Sequence, residues 1–283
     1  MGKGAIMLPT TFLNENRMSI RALITRSEVN LMPIKLLILL SVFLTNTAIA
    51  NEVEFVEVVK TNKRSTVGVG YYDPLGAPKT KLSGTGFVIT DGTLIATNFH
   101  VVSNLPESNG IVSWVVFTGQ GKRPNIHKVK IVAKDEQHDL AILKLPQGVT
   151  LPAMKLANND WVDDGYQIAF TGYPIGEVLG LYPVTHQGMI SARTPTVIPA
   201  SNSTEISAAR LRLLRDPYFT YQLDATAYPG NSGSAVYLKS TGEVIAIVNK
   251  VFVKKSKESI LSDPSNITYA IPVLYLNKLI DSL

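Results

Sequence analysis

The chain has 283 residues, of which 45% are hydrophobic and 17% charged, a composition typical of a folded globular protein with one large or two small domains. It contains no cysteine, which excludes a disulfide scaffold, a thiol nucleophile and a cysteine-ligated zinc site. The formal net charge is +5, but residues 1–50 hold five basic and two acidic residues, so residues 51–283 carry a net charge of only +2. This balance gives little support for nucleic acid as a partner.

Residues 1–50 are predicted to be a presequence. Lys35 precedes an apolar run over residues 36–44, and an Ala-x-Ala pattern ends at Ala50, as in a secretory signal peptide. We expect translation to start at Met32, cleavage to follow Ala50, and the mature protein to be periplasmic or secreted. The run is shorter than the roughly 20 residues of a membrane span, and an uncleaved anchor or a buried helix is the alternative.

Residues 51–150 are predicted to form an N-terminal β-barrel. Two β-like runs are joined at Asp91-Gly92, a strong signal for a hairpin. Residues 52–60 are largely apolar and fit either a short helix or a strand. The remaining β-branched and aromatic runs predict strands over residues 65–72, 111–118, 126–134 and 139–145.

Residues 151–283 are predicted to form a C-terminal β-barrel with a closing helix. The boundary is placed in residues 146–164, which are rich in Pro, Gly, Asn and Asp. Residues 193–218 form a polar insertion that either covers a cleft or is a solvated surface loop. An apolar face predicts a helix over residues 273–282. Strands are predicted over residues 166–170, 184–192, 219–223, 234–238, 243–253 and 267–271. Many short strands at regular intervals indicate an all-β protein built from barrels or a sandwich.

Residues 228–235 read Tyr-Pro-Gly-Asn-Ser-Gly-Ser-Ala and place Ser232 in a turn between two glycines. Glycine tolerates backbone angles at which two N–H groups can point the same way, as an oxyanion hole requires. This arrangement suggests acyl transfer, for which the serine needs a base and the base needs an orienting carboxylate. Ser234 stands where a G-x-S-x-G nucleophile elbow would have glycine, so the motif is not of that type.

His100 and Asp139 are the candidates for the base and the carboxylate. His100 follows a strand among small and apolar residues, and Asp139 opens an almost wholly apolar strand. Taken singly, His100 fits a core histidine better, and Asp139 fits strand-end or turn chemistry at least as well. Together with Ser232 they occur in the order His, Asp, Ser, which is the order of chymotrypsin-type proteases and differs from subtilisins and α/β-hydrolases.

The three sites lie in blocks that resemble the signature blocks of trypsin-like serine proteases, most closely the HtrA/Deg branch. The blocks are residues 97–102 (Thr-Asn-Phe-His-Val-Val), 138–143 (His-Asp-Leu-Ala-Ile-Leu) and 230–234 (Gly-Asn-Ser-Gly-Ser), with supporting stretches at residues 83–89, 172–174, 223–225, 242–245 and 269–272. The resemblance covers residues 53–283. It implies a chymotrypsin-like fold of two six-stranded antiparallel β-barrels with a C-terminal helix.

The resemblance assigns a role to each site residue. Ser232 would be the nucleophile, His100 the general base and then acid, and Asp139 the group that orients His100 and stabilises its cation. The N–H groups of Gly230 and Ser232 would form the oxyanion hole. Asn231 stands where digestive proteases carry an aspartate that pairs with a freed N-terminus, so activation by that ion pair is not expected.

The resemblance also places a substrate pocket. Its floor would lie near Thr226, and its wall would run from Ile245 through Val248 to Asn249. Thr226 is not an aspartate, and Val248 stands where related glutamyl endopeptidases have a histidine. We therefore expect a small or aliphatic residue before the scissile bond, rather than Lys, Arg or Glu.

The expected function is that of an exported serine endopeptidase acting on unfolded or damaged polypeptides, without a metal or other cofactor and without nucleic acid. A membrane would be involved only through an uncleaved anchor, and a homo-oligomer is compatible with the sequence. HtrA/Deg proteins usually carry PDZ domains, but the chain ends eleven residues after Pro272, so no PDZ domain is expected. A basic cluster at Lys250, Lys254, Lys255 and Lys257 is either a solvated face or an attractor of acidic substrate segments.

Two alternatives remain open on the sequence alone. One is a non-catalytic, chaperone-like or binding module on the same scaffold, against which the complete set of His100, Asp139 and Ser232 argues. The other is a processing protease or secreted virulence factor of narrow specificity, whose motifs would be the same.

Overall fold

The computed structural model describes residues 53–105, 111–121, 124–174, 180–196, 217–251 and 267–283. The predicted presequence, most of the polar insertion and the lysines at positions 254, 255 and 257 lie outside these residues. Within the described ranges, no helix is long and apolar enough to cross a membrane.

A helix, α1, spans residues 53–65 and runs directly into the first strand. The sequence allowed a helix or a strand here, and the structure has the helix. Its side chains reach the second half of the protein, since Asn62 Nδ2 donates to Gly242 O at 3.2 Å. The ammonium group of Lys239 also lies 4.6 Å from the centre of the Phe55 ring. The helix therefore packs beside a turn of the second half.

The first half is an antiparallel sheet in the order β5-β4-β1-β2-β3-β7-β6. The hairpin predicted at Asp91-Gly92 is confirmed, because β2 pairs antiparallel with β3 on either side of it. The strands are β1 (Thr66–Tyr72), β2 (Thr80–Ile89), β3 (Leu94–Thr97), β4 (Ser113–Thr118), β5 (Asn125–Lys128), β6 (Lys130–Asp135) and β7 (Leu140–Lys144).

One predicted strand, over residues 126–134, is divided in the structure into β5 and β6. The single residue between them is Val129, whose N–H donates to Trp114 O at 3.0 Å. The chain therefore bends there, with β5 pairing with β4 on one side and β6 with β7 on the other. Because β5 and β6 form the two ends of the sheet order, this bend brings the ends together. Counted as one bent strand, the first half is a six-stranded barrel.

The second half is a closed barrel in the order β10-β13-β12-β11-β8-β9. Its six strands are β8 (Gln167–Gly172), β9 (Val184–Pro195), β10 (Phe219–Asp224), β11 (Ala235–Leu238), β12 (Val244–Val251) and β13 (Ile267–Pro272). The closing helix, α2, is Val273–Asp281. The predicted fold of two six-stranded antiparallel barrels with a C-terminal helix is thus confirmed. Its division into domains at residue 150 stays a prediction.

Among the described residues, buried apolar side chains form three clusters. One lies within the first barrel and one within the second. The third joins them, because it combines Phe87 and Ile142 of the first barrel with Ile247 of the second and Leu276 of α2. Apolar burial contributes about 25 cal/mol per Å², so this shared cluster holds the two barrels and the helix in one compact unit, residues 54–283.

Candidate active site

His100 lies in a turn of 3-10 helix, Phe99–Val101, directly after β3. The turn is tied to the start of β7, where Asp139 O accepts the N–H of Phe99 at 3.0 Å and the side-chain amide of Asn98 at 3.1 Å. Asn98 is completely buried, so the bond from its amino group to Asp139 O offsets part of the desolvation cost of the side chain. Neighbouring strands thus bring His100 and Asp139 together, although they are 39 positions apart in the chain.

Asp139 binds His100 with both carboxylate oxygens. Oδ2 lies 2.6 Å from His100 Nδ1, and Oδ1 accepts the backbone N–H of His100 at 2.8 Å. An ionised carboxylate has no proton to donate, so the short contact places the imidazole proton on Nδ1 and leaves the Nε2 lone pair free. The His100 side chain is 37% exposed and that of Asp139 16%, so the imidazole faces solvent while the carboxylate is covered.

Asp139 has a positive φ of 55°, which is uncommon for a residue other than glycine and costs of order 1 kcal/mol or more. The hydrogen bonds of its carbonyl and carboxylate hold this conformation. The backbone strain therefore lies at the residue that orients His100.

A second histidine–aspartate pair lies beside the first and was not singled out by the sequence. His138 Nδ1 is 2.6 Å from Asp135 Oδ2, and its N–H donates to Asp135 Oδ1 at 3.1 Å. Unlike His100, its ring stacks on Tyr275 at 4.1 Å and meets the edge of Tyr218 at 4.7 Å. Burial raises the pKa of Tyr218 to about 12, and the charge of Asp139 adds to this. The second pair is thus covered by aromatic side chains.

Ser232 is half-buried in the loop before β11. Its Oγ donates to the carbonyl oxygen of Asn249 at 3.0 Å. Within the part of the chain that the structure describes, no hydrogen bond joins Ser232 Oγ to His100. The structure therefore brings together two of the three predicted catalytic side chains and leaves the serine hydroxyl bonded to β12.

The His100 turn and the Ser232 loop both contact β2 at Gly84. A Cβ atom on Gly84 would lie 2.8 Å from Val101 Cγ2 and 2.9 Å from Ser232 O, so no side chain fits there. The next residue, Thr85, donates its N–H to Ser232 O at 2.8 Å. The absence of a side chain at Gly84 thus lets β2 bring the base and the serine into one region.

The predicted oxyanion donors are free to receive a ligand. The N–H groups of Gly230 and Ser232 donate to no acceptor among the described residues. Gly230 has a φ of +101°, a conformation that residues with a side chain rarely adopt. The N–H of Ser232 and the N–H of Gly230, two residues before it, can stabilise an oxyanion that forms beside the serine.

The residues predicted for the substrate pocket lie in different environments. Ile245 and Val248 are each 1% exposed and belong to the core of the second barrel. Thr226 and Asn249 are half-buried, and the Asn249 carbonyl is the acceptor for Ser232. The pocket assignment stays a prediction.

The sequence also gave no indication of a half-buried histidine in the second barrel. His186 stacks on Phe170 at 5.0 Å and lies 5.8 Å from the ring of Tyr228. Burial lowers its pKa from the usual 6.5, so the neutral imidazole is favoured. Across the described ranges, no group of three or more His, Asp or Glu side chains has the arrangement of a metal site.

A two-barrel fold with a paired histidine and aspartate and a serine loop defines the class of chymotrypsin-like serine peptidases. The family of the trypsin-like peptidase domain matches residues 84–247, more than half of the chain. The chain therefore belongs to the trypsin-like peptidase family.

Two relatives with similar sequences indicate which branch of this family the chain resembles. A probable periplasmic serine endoprotease DegP-like from Chlamydia trachomatis serovar D is 32% identical over 200 residues, which are 71% of this chain and 33% of that protein. A putative serine protease HhoA from Synechocystis is 30% identical over 67% of this chain and 40% of the relative. The chain thus spans about a third of the length of the DegP-like relatives.

A solved structure, that of the serine endoprotease from Yersinia pestis, superposes with a TM-score of 0.56 at 24% identity. It covers 81% of this chain and 65% of the other. At this identity the structural similarity supports the fold alone. The resemblance to the HtrA/Deg branch rests on the relatives found by sequence.

Proposed function

We propose that this protein is an exported serine endopeptidase that hydrolyses peptide bonds through an acyl-enzyme on Ser232. The observation that carries the proposal is the double contact between His100 and Asp139, which presents a free Nε2 on a scaffold of the trypsin-like peptidase family. The Ser232 loop lies against the same strand, β2, as the His100 turn.

The first step transfers the Ser232 hydroxyl proton to His100 Nε2 while Oγ attacks the substrate carbonyl carbon. Ser232 Oγ must first leave the Asn249 carbonyl by rotation about χ1. Side-chain rotation takes picoseconds to nanoseconds in exposed residues, and the hydrogen bond that is lost is worth about 1 kcal/mol net. The rotation is therefore a small part of the barrier.

The carbonyl oxygen then becomes negatively charged, and the N–H groups of Gly230 and Ser232 donate to it. Asp139 stabilises the imidazolium of His100. His100 gives its proton to the leaving amine as the C–N bond breaks, which leaves an ester on Ser232. Water, deprotonated by His100, attacks this ester, and Ser232 recovers its proton as the acid product leaves.

The substrates proposed are unfolded or damaged polypeptides in the periplasm or outside the cell, cleaved after small or aliphatic residues. The DegP-like relatives are named as probable periplasmic serine endoproteases, which supports the compartment. Thr226 and Val248 support the cleavage preference because neither is charged. Cleavage of a peptide library should favour Ala, Val, Ile or Leu before the scissile bond, and a profile dominated by Arg, Lys or Glu would contradict this preference.

The proposal is tested by labelling the folded protein with a fluorophosphonate, which reacts with an activated serine. Wild type should be labelled, and Ser232→Ala should not. Ser282→Ala is the matched control, because Ser282 is an exposed serine at the end of α2; this variant should label as wild type does. Folded wild type that resists labelling would instead favour the non-catalytic binding module.

A further inference from the structure

Thr85 lies in β2 and is completely buried. Its Oγ1 donates to Gly230 O at 2.7 Å and accepts the N–H of Tyr173 at 3.0 Å. Since a hydroxyl has only one proton, acceptance from Tyr173 leaves that proton committed to Gly230. The backbone N–H of Thr85 meanwhile donates to Ser232 O at 2.8 Å. One residue of the first barrel thus bonds the serine loop of the second barrel twice.

The first of these bonds fixes the peptide group between Gly230 and Asn231. Its carbonyl oxygen accepts from Thr85 Oγ1, and its N–H donates to Tyr228 O at 3.0 Å. A peptide group is planar, so hydrogen bonds at both edges hold its orientation.

The second bond fixes the peptide group between Ser232 and Gly233 in the same way. Its carbonyl oxygen accepts the N–H of Thr85, and the N–H of Gly233 donates to Val248 O at 2.9 Å. A Cβ on Gly233 would collide with the carbonyl oxygen of Thr85, so this close approach also requires glycine.

The peptide group that carries the Ser232 N–H lies between these two fixed groups. The group that carries the Gly230 N–H adjoins the first of them. Both N–H groups are without an acceptor in the described part of the chain. The peptide group of the Ser232 N–H is also held by its own carbonyl, Asn231 O, which accepts the N–H of Ser234 at 3.0 Å, and the fixed groups on either side restrict it further. We propose that Thr85 is a positioning residue for the oxyanion hole, a role that rests on the proposed peptidase function. The Thr85 side chain lies in the first barrel. Through its hydrogen bond to Gly230 O, it orients the N–H donors of the second barrel.

The test compares Thr85→Val, which removes the hydroxyl at nearly constant shape, with Thr85→Ser, which keeps it. Removal of one oxyanion donor lowers kcat by about 10²–10³-fold in related chemistry, and a misdirected donor should cost at least about tenfold. We expect kcat for Thr85→Val to fall with KM little changed, and Thr85→Ser to restore it. Inhibition by a peptidyl trifluoromethyl ketone, which forms an oxyanion, should weaken in parallel, whereas binding of the amine product, which places no oxyanion at these donors, should not.

Thr66→Val is the matched control. Thr66 is also buried, at 4% exposure, and its Oγ1 donates to a backbone carbonyl, Asn62 O, at 2.9 Å. It lies at the start of β1, and its hydroxyl bonds to α1 instead of the serine loop. Loss of its hydroxyl should destabilise the protein as Thr85→Val does, without a fall in kcat. If Thr85→Val does not fold, Thr85→Ala replaces it.

Hydrogen exchange over residues 228–234 provides a readout that needs no activity. It should speed up in Thr85→Val and not in Thr66→Val. The positioning role is overturned if exchange there is unchanged, if the two valine variants have the same kcat, or if Thr85→Ser fails to rescue. Wild type that is not labelled at Ser232 while exchange responds as expected would refute the peptidase function and leave the bracing of the loop intact.

Discussion

In the first barrel, His100 and Asp139 are already joined by two hydrogen bonds of 2.6 and 2.8 Å. In the second barrel, the Ser232 backbone is held by Thr85, but its hydroxyl donates to Asn249 O at 3.0 Å. In the proposed mechanism, the base is therefore assembled before substrate arrives, whereas the nucleophile has a local partner that it must give up.

The difference follows from the hydrogen bonds that each side chain requires. Asp139 is mostly covered, and a covered carboxylate needs hydrogen bonds that the adjacent His100 turn supplies. A serine hydroxyl is neutral and bonds to any acceptor within reach, so it exchanges partners at a cost of about 1 kcal/mol. Among the three side chains, preorganisation is thus found in the charged pair, where reorganisation would cost most.

The largest expected effect is the loss of kcat when the His100–Asp139 pair is changed. Asp139→Asn should lower kcat by about 10⁴-fold, because an amide in place of the carboxylate favours the wrong imidazole tautomer. Hydrolysis of a chromogenic peptide measures this loss. Asp135→Asn is the matched control, since it changes the same contact in the second pair, and kcat should change little because Asp135 binds His138 and not His100. Equal losses in both variants would mean that the pair at position 100 has no special role.

The next effect concerns the apolar cluster that both barrels share with α2. Leu276→Ala should lower the free energy of unfolding by about 2–5 kcal/mol, because it opens a cavity in the cluster shared by both barrels. Urea unfolding measures the change. Leu283→Ala, at a leucine that is 58% exposed, should change stability by less than about 0.5 kcal/mol. A small effect at both positions would show that α2 does not stabilise the shared cluster.

A smaller effect is expected on the imidazole itself when the serine is removed. Because Ser232 Oγ is bonded to Asn249 and not to His100, Ser232→Ala should leave the NMR resonance of His100 Nδ1–H unchanged. Asp139→Asn should remove that resonance or move it upfield, since the short hydrogen bond is lost. A clear shift in Ser232→Ala would place the resting hydroxyl on the imidazole instead.

The smallest effect is the pH dependence of stability contributed by His186. Its pKa is lowered by burial in the folded state, so the unfolded state binds more protons as the pH falls through about 6.5. Stability is therefore kept above that pH and declines below it. Urea unfolding at pH 7.5 and 5.5 should show a smaller decline for His186→Gln than for wild type. An equal decline would mean that His186 is solvated or has found a proton acceptor.

Much of the fold could be predicted from local patterns. The hairpin at Asp91-Gly92 follows from turn chemistry, and most strands follow from β-branched and aromatic runs. The break at Val129 could not be predicted, because it depends on a hydrogen bond to Trp114 in another strand. Helix α1 was ambiguous for the same reason, since its packing partner, Gly242, is 180 positions from Asn62.

For the site, the sequence by itself determined which groups are present: an imidazole, a carboxylate, a serine between glycines, and no thiol. Side-chain chemistry and glycine's backbone freedom are properties of single residues, so they can be read along the chain. Only the tertiary structure decided that Asp139 binds His100 with both oxygens, that Ser232 rests on Asn249, and that Thr85 braces the loop. These contacts join residues far apart in sequence, and their strength depends on burial and on distances within a few tenths of an ångström, which exist only once the barrels have packed.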